Sequence, residues 1–150
     1  MAHRMPDYVI EADGGSRGNP GPAAYGTVVR RAHTGEIVAE LAEYIGHRTN
    51  NVAEYRGLIA GLEFLATLGG EGHVEARLDS KLVVEQLSGR WKIKNEGMRE
   101  LALRARAAYP PKLVAYIWVP RHQNAAADAL VNECLDLAAA GRDGRINRRG

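Results

Sequence analysis

Three strand-like runs follow one another at the start of the chain, and helices then alternate with strands. The patterns predict strands at 7–13, 24–31, 37–45, 73–79 and 114–119, and helices at 51–68, 80–87, 95–109 and 125–140. The turn His33-Thr-Gly-Glu36 predicts a hairpin between the second and third strands. Hairpin-linked strands followed by alternating helices and strands predict an α/β fold, in which helices flank a five-stranded mixed sheet.

Length and composition are those of one globular domain. A chain of 150 residues, 45% hydrophobic and 25% charged, can bury roughly 68–70% of its unfolded surface. We expect this domain to occupy 1–141. The segment 142–150 is polar and basic without periodicity, which is typical of a flexible tail or the start of a linker.

Cysteine content and hydropathy bear on the compartment. The single cysteine, Cys134, rules out an internal disulfide and fits a reducing environment; its position in the last predicted helix is apolar. No apolar run approaches the ~20 residues that span a bilayer. The first residues contain no hydrophobic signal region. We therefore expect a cytoplasmic monomer without a membrane partner.

Four carboxylates lie at the edges of four different predicted elements. Asp13 follows the apolar run 8–12, Glu54 lies in the first turn of the 51–68 helix, Asp79 ends the fourth strand, and Asp128 lies in the first turn of the last helix. Side chains at such positions point toward one rim of a sheet. Converging carboxylates repel one another and resist ionisation unless a cation lies between them. Such all-oxygen sites suit hard divalent ions, Mg²⁺ above all.

Each acid alone also has a purely structural explanation. Asp13 could end a strand before a glycine turn. Glu54 could complete a capping box with Asn51. Asp79 and Asp128 could stabilise helix starts through the helix dipole. Four independent caps do not explain the order and spacing of the motifs around them.

Those motifs resemble the type 1 ribonuclease H family from about Tyr8 to Ala140. They are Glu11-Ala-Asp13-Gly-Gly-Ser-Arg-Gly-Asn-Pro-Gly-Pro22, Thr49-Asn-Asn-Val-Ala-Glu54-Tyr, Leu78-Asp79-Ser80 and Ala127-Asp128-Ala-Leu. The resemblance implies the ribonuclease H-like fold and endonucleolytic cleavage of the RNA strand of RNA–DNA hybrids. It also implies two Mg²⁺ ions, replaceable by Mn²⁺, and products with 5′-phosphate and 3′-hydroxyl ends. Some actinobacterial relatives carry a fused C-terminal phosphatase-like domain, so the same fusion is an option for this chain.

The resemblance also assigns roles at the predicted catalytic site. Asp13 would bridge two ions, and Asp128 would complete the ion that activates water. Glu54 and Asp79 would hold the ion near the leaving 3′ oxygen. His122, in the loop before the last helix, matches a mobile histidine that helps water activation or product release in many relatives. The loop here is short, with five residues between His122 and Asp128.

A second group of residues is predicted to bind substrate. Its members are polar, aromatic or basic and lie in or beside the first two motifs or between the second and third predicted helices and at the start of the third: Asn19, His47, Thr49, Asn50, Asn51, Trp91, Lys92, Lys94 and Asn95. The asparagines of the first two motifs can read 2′-hydroxyls, although turn chemistry also explains Asn19. Thr49 and Asn95 resemble a pocket for one phosphate of the DNA strand. An aromatic between cations suits a nucleic-acid backbone, although Trp91 could instead pack under its loop.

Two other functions remain open at this point. A 3′–5′ exonuclease of the same superfamily would carry Asp-x-Glu on the first strand, whereas this chain has Glu11-Ala-Asp13 in the reverse order. A non-catalytic hybrid-binding module would lack an acid, and all four are present. A net charge of +2 is too small to indicate a nucleic-acid partner by itself.

Overall fold

The structure, a computed structural model, describes residues 5–150. Six strands and four helices follow one another in these residues: β1 (Tyr8–Ser16), β2 (Gly21–Arg31), β3 (Ile37–Arg48), α1 (Asn50–Ala66), β4 (Val74–Leu78), α2 (Lys81–Leu87), α3 (Glu96–Ala108), β5 (Val114–Trp118), α4 (Ala125–Ala139) and β6 (Arg145–Arg149). Two 3₁₀ turns, Pro111–Leu113 and Arg121–Asn124, flank β5.

The strands form one mixed sheet in the order β5-β4-β1-β2-β3-β6. Strands β1, β2 and β3 pair antiparallel, and β4 and β5 extend the sheet in parallel with β1. Helices α1, α2 and α3 pack on one face around Ile10 and Leu62, and α4 packs on the other against Ala24 and Val28. The predicted α/β fold with a mixed sheet is therefore confirmed. No helix within 5–150 is long and apolar enough to cross a membrane.

The sheet has six strands rather than the predicted five. Strand β6 lies in the segment predicted as a flexible tail or linker start, and it pairs antiparallel with β3. Ile146 is buried against α4, and Arg145 Nη2 lies 2.8 Å from Glu43 Oε2. The prediction failed because only one of the five β6 residues is apolar. Backbone pairing with the edge of β3, the buried Ile146 and ion pairs of Arg145 and Arg148 hold this strand, although its sequence shows no hydrophobic alternation.

The first hairpin is longer than predicted. Strand β1 continues past Asp13 through two glycines to Ser16, and β2 begins at Gly21, so the turn is confined to residues 17–20. Asp13 therefore lies inside a paired strand and not at its end. The backbone pairing of Gly14 with Tyr25 sustains the ladder where side-chain pattern gave no strand signal.

Helix starts follow the expected chemistry with one correction. Ser80 caps α2, since its Oγ accepts from Val83 N at 3.3 Å. Helix α1 is capped by Thr49, whose Oγ1 accepts from Val52 N at 3.3 Å. Glu54 is therefore not the acidic half of a capping box with Asn51.

Helix α4 lies very close to β2. A Cβ on Gly26 would stand 2.4 Å from Ala127 O and 2.8 Å from Leu130 Cβ. Only glycine permits this approach. The contact brings the first turn of α4, which carries Asp128, to the same rim as the end of β4. Cys134, on the inner face of the same helix, is buried, as its apolar position predicted.

Candidate active site

Three carboxylates from three elements converge at one rim of the sheet. Oxygens of Asp13, Glu54 and Asp79 lie within 4.8 Å of one another. Asp13 comes from β1, Glu54 from the second turn of α1, and Asp79 follows β4. Asp13 and Glu54 are each 5% exposed, and Asp79 is half-buried. We call these three residues the carboxylate cluster.

One main-chain group organises two of these acids. Gly14 N donates to Asp13 Oδ1 at 2.9 Å and to Glu54 Oε1 at 3.0 Å. A Cβ on Gly14 would lie 2.3 Å from Ala53 C and from Glu54 N. Glycine is therefore required for α1 to approach β1 closely enough to share this donor.

Burial opposes ionisation throughout the carboxylate cluster. It raises the pKa of Asp13 to about 7, and the charges of Asp79 and Asp128 add to the effect, while a hydrogen bond with Glu54 opposes it. Burial also raises the pKa of Glu54 well above its usual range, together with the charge of Asp13. The pKa of Asp79 is raised by burial, although the Asn124 amide and the Arg121 charge pull it down.

The cluster has no cationic partner at ion-pair distance within residues 5–150. None of the three acids forms a salt bridge there, and Glu54 Oε2 and Asp79 Oδ2 are buried without a hydrogen-bond partner. Buried unpaired carboxylate oxygens are costly unless something neutralises them. The donor set is all oxygen and acidic, so it fits a hard divalent cation.

Asp128 lies beside this cluster but not within it. It is half-buried in the first turn of α4, and it is not among the oxygens that share the 4.8 Å spacing. Its charge nevertheless raises the pKa of both Asp13 and Asp79. The four predicted acids therefore share one rim, with Asp128 at its margin.

An open cavity of about 440 Å³ lies over the cluster. Its lining consists of the three acids with polar and basic groups around them: Gly14, Gly15, Ser16, Asn50, Asn51, Ser80 and Arg121. A larger groove, about 540 Å³, lies at the other end of β1, and its charged lining includes Asp7 and Glu71 together with Arg31. The carboxylate cluster lines the first of these two cavities and not the second.

The predicted asparagines form a fixed network beside this cavity. Asn50 Oδ1 accepts from Ser16 N at 2.8 Å and from Ser16 Oγ at 3.0 Å. Asn19 Oδ1 accepts from Asn50 N at 3.0 Å. Because both amide oxygens are occupied, the free functional groups of these two side chains are NH₂ donors.

The other predicted substrate residues lie outside the cavity. Thr49 and Asn95 are the N-caps of α1 and α3, and Asn95 Oδ1 accepts from Met98 N at 3.0 Å. Trp91 is 45% exposed, so it does not pack under its loop. Exposed positions are also found for Lys92, Lys94 and, at the end of β3, His47. His122 is exposed on the 3₁₀ turn, next to Arg121, which does line the cavity.

Sequence reasoning missed three contributors to this rim. Ser16 orients Asn50, Gly14 N binds two acids, and Asn124 is 1% exposed with its amide against β1. Only Asn124 left a signal, because an asparagine directly before a predicted helix is a candidate cap. The roles of Gly14 and Ser16 are main-chain contacts between distant segments, which residue type alone does not reveal.

Comparison with known proteins gives consistent matches across the chain. The sequence profile of a family described as reverse transcriptase-like matches residues 11–134. A bifunctional protein of Mycobacterium tuberculosis is 54% identical over 132 residues, which cover 87% of this chain and 36% of that protein. Ribonuclease HI of Halobacterium salinarum is 46% identical over 129 residues, covering 84% of this chain and 63% of that one. The chain thus spans only about a third of the mycobacterial relative.

Solved structures match the same region. The N-terminal RNase H domain of the mycobacterial protein, solved as a maltose-binding-protein fusion, superposes with a TM-score of 0.84 at 50% identity. That match covers 91% of this chain and 98% of the other. LC11-RNase H1, solved in complex with an RNA/DNA hybrid, gives a TM-score of 0.81 at 39% identity over 88% of this chain and 99% of the other.

Proposed function

We propose that this chain, which belongs to the type 1 ribonuclease H family, is an endonuclease that hydrolyses the RNA strand of RNA–DNA hybrids. The observation that carries the proposal is the carboxylate cluster. Three acids with raised pKa values and no cationic partner among the described residues line an open, polar cavity. A polyanion held beside unpaired acids requires a cation between them, which suits metal-assisted phosphodiester hydrolysis.

Asp13, Glu54 and Asp79 would hold the divalent ions, and Asp128 would complete their environment from α4. We propose two Mg²⁺ ions, with Mn²⁺ as a substitute, because oxygen-only sites suit these metals. Bound ions of this kind supply charge stabilisation at the phosphoryl group and lower the pKa of a coordinated water. The Gly14 N–H fixes the orientation of two carboxylates before any ion binds.

Selection of the RNA strand would come from the asparagine network. Asn19 and Asn50 present NH₂ donors, and donors of this kind can bind the oxygen of a 2′-hydroxyl, which DNA lacks. Asn51, which lines the cavity, would act beside them. Asn50→Ala should therefore weaken binding to hybrid more than binding to duplex DNA in paired titrations. Equal losses on both ligands would remove the 2′-hydroxyl role.

Backbone binding would come from the exposed residues between α2 and α3. Trp91, Lys92 and Lys94 offer stacking and charge, while Thr49, Asn95 and His47 would contribute polar contacts at other helix and strand ends. Replacing Lys92 and Lys94 by alanine should reduce the salt dependence of hybrid binding by up to about two phosphate contacts. Lys112→Ala, an exposed change beyond the other end of α3, is the matched control and should leave the slope unchanged.

The deciding experiment labels each strand of a hybrid in turn and follows cleavage with and without Mg²⁺. We expect internal cuts in the RNA strand only, dependent on the ion, leaving 5′-phosphate and 3′-hydroxyl ends. A ladder shortening from the 3′ end would instead indicate an exonuclease. Binding without cleavage at any ion concentration would indicate a hybrid-binding module. A monomeric state, a cytoplasmic location and a fused C-terminal domain stay predictions.

A further inference from the structure

Asn124 is the most deeply buried polar side chain at the rim of the carboxylate cluster. It is 1% exposed, and its Nδ2 donates to Ala12 O at 2.7 Å. A main-chain carbonyl only accepts hydrogen bonds, so this contact fixes which end of the amide faces β1. The residue that follows Ala12 is Asp13, so the amide is anchored one residue from the centre of the cluster.

The same amide faces a second acid-bearing element. It lies beside the Asp79 carboxylate, although the contact lacks full hydrogen-bond geometry, and Asp79 Oδ2 has no hydrogen-bond partner within residues 5–150. Asn124 Oδ1 is likewise buried, and it has no hydrogen-bond partner in the described part of the chain. A buried amide that leaves its oxygen unpaired is held there at a cost, which is unusual unless the position itself matters.

Asn124 also immediately precedes α4, where an asparagine would ordinarily cap the helix through its side chain. Here the side chain makes no capping bond to α4 and reaches back to β1 instead. The local helix therefore lacks a cap while a distant strand gains a contact. Asp128 lies one turn further along α4.

We propose that Asn124 is a positioning residue, which ties β1, the end of β4 and the start of α4 together so that Asp13, Asp79 and Asp128 keep the placement that divalent ions need. The inference rests on the proposed function, since it assigns a role toward the ions of that site. Groups that orient metal-binding side chains without touching the metal typically change affinity or activity by about 10- to 100-fold when removed.

The test compares ion-dependent stabilisation in the wild type, Asn124→Ala and Gln86→Ala. Gln86, on α2, is a matched control because its amide is also buried, at 4% exposed, and does not line the cavity. Its Oε1 accepts from Tyr55 Oη at 2.8 Å. Thermal unfolding is followed during titration with Mg²⁺ alone and with Mn²⁺ alone, without substrate. Asn124→Ala should need roughly 10- to 100-fold more ion for the same rise in Tm. Gln86→Ala should lower the starting Tm but respond to ions as the wild type does.

Kinetics give an independent readout. Asn124→Ala should lower kcat at limiting Mg²⁺, recover at high Mg²⁺, and leave KM for the hybrid unchanged. If Asn124→Ala does not fold, Asn124→Ser, which keeps a hydroxyl donor and a good capping residue, takes its place with an intermediate effect expected. An unchanged ion response in either variant overturns the positioning role. If the wild type itself neither responds to ions nor cleaves hybrid, the proposed function fails first, and this inference fails with it.

Discussion

Acidic side chains have opposite surroundings, and pKa values shifted in opposite directions, in two regions of the same sheet. Glu43, on β3, accepts hydrogen bonds from Tyr25 Oη at 3.1 Å and from Arg145 Nη2 at 2.8 Å, and Arg56 lies 4.0 Å away. Burial alone would raise the pKa of Glu43, but these partners outweigh it and hold the pKa below its ordinary value. In the carboxylate cluster, burial wins and every pKa rises.

The two regions differ in the source of the positive charge that neutralises their acids. Around Glu43 the chain provides its own arginines, so this acid fastens β6 to the sheet. At the rim three acids are brought together and left without such a partner within residues 5–150. An arrangement that destabilises the folded state is retained where function needs it, and this contrast separates a structural acid from a metal-binding one.

The largest effect should come from exchanging one acid in each region for its amide. Asp13→Asn should abolish hybrid cleavage, yet raise the free energy of unfolding of the ion-free protein by about 0.5–2 kcal/mol, because a buried charge is removed. Glu43→Gln should keep cleavage within a few-fold and lose roughly 0.5–1.5 kcal/mol of stability. Strand-labelled cleavage and urea unfolding in chelator measure both. Cleavage by Asp13→Asn near the wild-type rate would contradict the proposed site.

Acidification should act with opposite sign on the two regions. The folded-state pKa of Asp13 is about 7, above its ordinary 3.8, so the folded ion-free chain binds protons that the unfolded chain releases. Stability from this group is therefore present at low pH and is lost as pH rises toward about 7. Glu43, with its lowered pKa, loses its contribution only as pH falls below its ordinary value of 4.5.

Chelator-treated protein unfolded in urea at about pH 5 and about pH 8 tests this sign. Asp13→Asn should flatten the difference, and Glu43→Gln should leave it in place. Mg²⁺ affinity should run the other way and strengthen as pH rises, since protons compete for the same oxygens. If the ion-free protein were more stable at about pH 8 than at about pH 5, the carboxylate cluster would ionise without a cost in folding free energy.

A third change removes the apolar anchor of the Glu43 region. Ile146 is 7% exposed and packs against α4. Ile146→Ala should lower the free energy of unfolding by roughly 2–4 kcal/mol through lost burial and a residual cavity. Cleavage per folded molecule should not change, because β6 lies at the opposite side of β1 from β4 and β5. Urea unfolding measures the stability, and single-turnover assays measure cleavage. Unchanged stability would indicate that 142–150 is the flexible tail that the sequence predicted.

The smallest effect should come from an exposed group outside both acid regions. An imidazole can move a proton near neutral pH, so His122→Ala should lower kcat by roughly 10- to 100-fold with KM little changed. That factor corresponds to about 1.4–2.7 kcal/mol in activation free energy. Stability should stay unaltered, since His122 is exposed. A variant with wild-type turnover would remove this histidine from the mechanism.

Sequence alone predicted which elements carry the four acids, because hydrophobic periodicity and motif order both leave local signals. It did not predict that Thr49, rather than Asn51, is the N-cap of α1, since both residue types cap helices and the backbone conformation decides between them. Strand β6 was missed because Ile146 is its single apolar side chain. The role proposed for Asn124 depends on a contact with Ala12, 112 residues away, which no local pattern encodes.

The close approach at Gly14 has a consequence for engineering. Because a Cβ at Gly14 would meet the α1 backbone at 2.3 Å, any other residue there would force the Asp13 and Glu54 backbones apart. The close spacing of these two acids therefore depends on one glycine. To retune the site for a larger ion while keeping this spacing, the side chains of the acids have to be shortened or lengthened, for example with Glu54→Asp, and the metal preference of such a variant becomes a property of side-chain reach.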